Sequence, residues 1–146
     1  MKQLILCLLI IPFAMSGRVN NISPSANNNN PVDIRSGDWP ILLQRTIEQS
    51  DTTYSLQFRD VKVLSGVVMD TLPFPNLAQL KYFEKALTTL KTGNTGDIAR
   101  FKDYSIKRID KKYEGTWYML EIKWGLTDFR QPEADLLIKT ISGLKF

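Results

Sequence analysis

Leu77, Leu80, Phe83, Ala86, Leu87 and Leu90 recur at three- and four-residue steps, while on both sides of that stretch apolar residues alternate with polar ones at two-residue steps. The first period is that of an amphipathic helix and the second that of a half-buried strand. A chain that changes period in this way must bury a helical stripe against a sheet face, which selects an α+β architecture. The helix ends are marked as well. Asn76 with Gln79 three residues on makes a capping box, and Gly93 stands where a left-handed terminator is wanted.

Before the helix, residues 41–48 and 53–59 flank Ser50-Asp51-Thr52, and Tyr54, Leu56 and Phe58 alternate with polar neighbours, a hairpin pattern. Pro40 leaves a short helix as the alternative for 41–48. A third strand is expected over 64–72. After the helix, a long strand over 99–109 turns through 110–115 into 116–124. Placing Ile106 opposite Leu120 sets Tyr104 against Ile122 and Arg108 against Tyr118 on one face, and Lys107 against Met119 on the other. A slip by one residue would oppose Asp103, Ser105 and Lys107 to the apolar face, at a high desolvation cost. Residues 132–144 close the chain as a second helix with Ala134, Leu137, Ile138, Ile141 and Leu144 on one stripe. The expected order is βββαββα, a single antiparallel β-sheet of about five strands packed with two α-helices. No internal repeat is detected.

The first 38 residues have a different composition. Lys2 precedes an apolar run over 4–11, and Ala14 and Ser16 are small residues at cleavage-determining positions, so 1–16 reads as a secretory signal peptide. The run is much shorter than the roughly 20 residues a membrane-spanning helix needs. Cys7 lies inside it, and so not where a lipid-anchored cysteine follows the run. Residues 17–38 are rich in Asn, Ser and Pro and read as a flexible leader. That leaves 39–146 as a single α+β domain, exported to the periplasm or the exterior of a bacterium, with no transmembrane span once the signal is removed.

Chemistry is restricted by what is missing. The chain of 146 residues has no His and one Cys, and that Cys goes with the signal. Histidine-based triads, thiol catalysis, disulfides and zinc or copper sites are excluded from the mature domain. Hard cations would need Asp128, Glu133 and Asp135 near the second helix start, where a favourable interaction with the helix dipole is the simpler account. No metal or cofactor is expected. The acidic candidates Asp70, Asp97, Asp103, Glu121, Asp128, Glu133 and Asp135 have no spacing that pairs them, so a carboxylate-dependent hydrolase ranks third and no catalytic residue is assigned.

What remains is binding. The hairpin face carrying Trp117, Met119, Lys107 and Ile109 would meet solvent if the helices cover the other face, and would then suit a protein or cell-envelope partner. The alternative is an anionic polymer or small anionic ligand held by Lys102, Lys107, Arg108 and Lys111 in the basic 100–112 strand. Nucleic acid is disfavoured by export, by the acidic residues interleaved in the same hairpin and by a formal net charge of only +4. The sequence does not address oligomeric state.

Overall fold

A computed structural model of the chain describes residues 31–36 and 38–145. The signal-peptide reading of 1–16, and the leader up to residue 30, lie outside the described residues. Ten elements follow in order: β1 (Val32–Arg35), β2 (Ile41–Glu48), β3 (Asp51–Arg59), β4 (Met69–Phe74), α1 (Leu77–Lys91), β5 (Ile98–Arg100), β6 (Tyr104–Lys111), β7 (Gly115–Ile122), β8 (Leu126–Arg130) and α2 (Gln131–Ser142). They form two four-stranded antiparallel sheets, β1-β2-β3-β4 and β5-β6-β7-β8, each followed by a helix.

This corrects the expected single sheet of about five strands, for three physical reasons. The alternation over 99–109 is interrupted at 101–103 by a turn that Phe101 N–H closes onto the Tyr104 carbonyl at 2.9 Å, giving two strands in place of one. β1 sits inside the stretch read as leader, where Ile34 alone reaches the core. β8 is a five-residue alternation in which Thr127 and Phe129 are buried, too short to stand out between Gly125 and the Pro132 helix start. The strand expected over 64–72 is also displaced, because 61–68 is a loop and pairing resumes only at Met69. Segment 41–48 is strand.

The two halves share one arrangement, four antiparallel strands followed by a helix, although the sequence shows no repeat. Tyr54 pairs with Arg45 and Phe74 on either side; Tyr118 pairs with Arg108 and Phe129. Leu56 lies between Leu43 and Leu72, and Leu120 between Ile106 and Thr127. The β3–β4 connection is much longer than the β7–β8 turn, so no fixed sequence offset relates the two halves.

Both halves share one core. α1 lies against β3 and β4 of its own sheet and against β5 and β6 of the other, while α2 lies against β7, β8 and β1. Burying these apolar side chains from both sheets and both helices, among them Phe58, Phe74, Phe83, Tyr118 and Leu137, is what holds a domain without disulfides together. Polar ties fix the crossing. Arg108 donates through Nη1 to the Leu90 and Lys91 carbonyls at 2.9 and 2.6 Å, satisfying the α1 C-terminus, and Lys81 donates to Ile141 O of α2 at 2.6 Å.

The register read for the β6–β7 hairpin is the observed one, with Tyr104↔Ile122, Ile106↔Leu120, Lys107↔Met119 and Arg108↔Tyr118. Asn76 caps α1, accepting the Gln79 N–H at 3.0 Å. Gly93 does not take the left-handed conformation expected of it; the helix ends on a right-handed Thr92. A Cβ there would meet the Asp97 carboxylate, which would have to move aside.

Candidate functional site

Ile106, Tyr118, Leu120 and Phe129 of the second sheet point into the core. The alternation of β6, β7 and β8 therefore turns Lys107, Ile109, Trp117, Met119, Asp128 and Arg130 the other way, in two cross-strand rows: Ile109, Trp117, Arg130 and Lys107, Met119, Asp128. The four residues of the expected binding face thus lie together on the side turned away from the helices. Each is half-buried.

Trp117 is the centre of this face. Lys111 Nζ lies 4.1 Å from its ring centroid and Arg130 Cζ 4.8 Å, both within cation–π range. Lys111 also pairs with Glu114 at 3.1 Å. Beside the ring is a cleft of about 440 Å³ lined by Arg35, Trp39, Val61, Trp117, Asp128, Arg130 and Glu133. The first half of the chain thus supplies one wall and the second half the other. Trp39 carries a cation of its own, the Arg59 guanidinium, at 3.9 Å.

The far wall is held rigidly. Arg35 donates to both oxygens of Glu133, from Nε at 2.6 Å and from Nη2 at 2.7 Å, and to the Asp128 carbonyl at 2.5 Å. Burial alone would push the Glu133 carboxyl up. The hydrogen bonds from Arg35 and from the Arg130 N–H, with the charges of both arginines, bring it below the usual carboxylate range. Arg35 is consumed in this fork.

The four cations of the anion-binding alternative are not brought to one patch. Lys107 and Lys111 share the Trp117 face, and Lys102 is in the β5–β6 turn. Arg108 projects to the opposite side, where its guanidinium bonds the α1 carbonyls and Asp110. The acidic candidates are likewise dispersed: Asp135 pairs with Lys91, Glu121 with Lys62, and Asp97 accepts the Asn94 N–H. Among the described residues no three of Asp, Glu, His and Cys gather closely enough to hold a metal ion. No helix there is long and apolar enough to cross a membrane.

No protein-family model and no curated protein matches the chain. The geometry alone carries the functional reading. Trp39, Arg59, Arg35 and Arg130 were missed from the sequence. Arg130 carried a signal, because it continues the Leu126-Thr127-Asp128-Phe129 alternation on the Trp117 side. Trp39 and Arg35 are far from Trp117 in the chain and had none.

Proposed function

We propose that this is an exported, non-enzymatic binding domain that captures a protein or envelope partner through the outer face of its second sheet. The observation that carries the reading is Trp117 held beneath Lys111 and Arg130 at the edge of a two-walled cleft. An aromatic ring already positioned by its neighbours loses little side-chain freedom on binding, and a Trp, Met, Ile and Arg grouping has the composition of interface hot spots. Lys107 and Lys111 on the same face favour a partner segment bearing an anionic group, which absorbs the anionic-ligand alternative into the same surface. The cell-envelope location rests on the signal-like segment over 1–16.

An envelope extract passed over the immobilised protein tests it. Trp117→Ala is expected to abolish retention of the partner while the thermal midpoint falls by no more than about 8 °C. Lys107→Glu, a change away from the core, is expected to weaken retention with no change in melting. Retention unaltered by both substitutions overturns the reading.

A further inference from the structure

Among the described residues, the most exposed aliphatic side chains lie not on the Trp117 face but at one end of it. The β3–β4 loop turns out Leu64 (92% exposed), Val67 (66%) and Val68, and the β7–β8 turn adds Trp124 (77%). These two segments are distant in sequence and fastened together in space. Val61 N–H donates to the Leu126 carbonyl at 2.8 Å, and the buried Asp60 carboxylate accepts the N–H of Lys62 at 2.8 Å and of Leu126 at 3.1 Å. Gly125 lies so close to Asp70 that a Cβ there would strike the carboxylate. The loop itself is rooted at both ends, since Asp60 N–H donates to Val68 O at 2.9 Å, and Arg59 Nη2 braces its tip through the Gly66 carbonyl at 3.1 Å. Gly66, at φ +86°, makes the bend.

A rigidly rooted projection of aliphatic side chains contributes nothing to the core, and an exposed apolar patch of this kind marks an interaction surface. Its chemistry selects the occupant. Trp124 has Lys123 Nζ at 4.7 Å from its ring, and Lys123 makes no ion pair among the described residues. Lys123 also lines a shallow cleft with Arg100 and Lys102, three cations against Asp103 and a Glu121 that is already paired with Lys62. Exposed aliphatic side chains beside an exposed tryptophan, with lysines next to them, are the residue types that a bilayer interface takes: aliphatic groups for the acyl chains, an indole for the headgroup boundary and cations for the phosphates. A convex apolar projection needs a groove in a protein partner but none in a bilayer.

We propose that this end of the domain docks on a membrane surface, with Leu64, Val67 and Trp124 entering the interface of an anionic lipid bilayer and Lys102 and Lys123 meeting its headgroups. Docking here leaves the Trp117 face free, so the inference stands or falls independently of partner capture.

The test uses the full chain with vesicles of phosphatidylglycerol and phosphatidylcholine containing brominated acyl chains, reading tryptophan fluorescence. The quenching due to Trp124 is the difference between the wild type and Trp124→Phe, which separates insertion of this tip from any binding through the apolar residues 4–11. Expected are clear quenching of Trp124, its loss in the Leu64→Ser, Val67→Ser double variant, and binding to the anionic vesicles about tenfold weaker in a Lys102→Glu, Lys123→Glu variant. The serine variant is to melt like the wild type, because both side chains are mainly in solvent. Equal quenching in the wild type and Trp124→Phe, or vesicle binding that the serine and the glutamate variants both leave unchanged, overturns membrane docking through this tip.

Discussion

The two halves of the molecule repeat one another on the inside and differ on the outside. Tyr54 between Arg45 and Phe74 has its counterpart in Tyr118 between Arg108 and Phe129. On the outer faces the row Gln44, Ser55, Pro73 of the first sheet corresponds to Lys107, Met119, Asp128 of the second, and Trp117 to Thr53. On the first sheet's outer face Gln57 donates to Gln44 at 2.8 Å and the cation–π pair of Arg59 with Trp39 sits at the strand end, whereas the second sheet sets Trp117 within its row beneath two cations, Lys111 and Arg130. Core-facing positions must match because both sheets bury against the same two helices. Outward positions have no such constraint, and there the two halves differ in residue type. The connections diverge too: the long β3–β4 loop carries Leu64 and Val67, where the β7–β8 turn is tight.

The equivalence of the two halves is exposed to a direct test. Leu56→Ala and Leu120→Ala each remove a fully buried side chain from the middle of a three-residue row. Each is expected to lose about 2–5 kcal/mol by denaturant unfolding, in a single transition. Two separate transitions, or a loss confined to one variant, would show that the halves do not share one core.

A smaller effect lies at the seam between them. Arg35 of the first half and Glu133 of the second are each only 19% exposed, and Glu133→Gln is expected to lose about 2 kcal/mol near neutral pH, as for a charged hydrogen bond removed from a partly buried site. The Glu133 carboxyl sits below its usual range when folded. Its contribution is therefore complete above that range and is lost as pH falls through the folded value. Melting followed from pH 7 to 3 should drop less steeply in the variant than in the wild type. Parallel curves would mean the fork does not join the halves.

The smallest effect has the opposite sign. Burial pushes the Asp70 carboxyl up and the Asp60 charge adds to this, with Lys62 partly offsetting both. Asp70 Oδ2 is buried without a hydrogen-bond partner among the described residues. An acid whose folded value is raised costs stability once ionised and regains it as pH falls. Asp70→Asn is expected to stabilise by less than about 1 kcal/mol at pH 7, with the gain vanishing below pH 4. A destabilised variant would show that the Asp70 charge is used at the tip.

How far the residues alone led can be judged element by element. α1 and the β6–β7 register were legible because burial on one side only imposes a period, and a one-residue slip would set charges against the core. β1 and β8 were not, being four and five residues long with one or two core contacts each. The shared arrangement of the halves was hidden because unequal loops erase a fixed offset and because core packing asks for volume and register, not identity. Of the candidate site, Trp117, Met119, Lys107 and Ile109 followed from alternation, while Trp39 and the Arg35–Glu133 fork did not.

Sequence by itself determined the local periods, the hairpin register, and a mature chain without thiol or imidazole chemistry if 1–16 is removed. Only the tertiary structure decided that the eight strands of the described residues divide into two sheets, that Arg108 closes a helix and leaves the cationic face, and that Trp39 shares a cleft with Trp117. The physical reason is range: periodicity is set by neighbours a turn or a strand pair away. Which face meets which helix depends on burying both sheets in one core, a condition the whole chain satisfies at once.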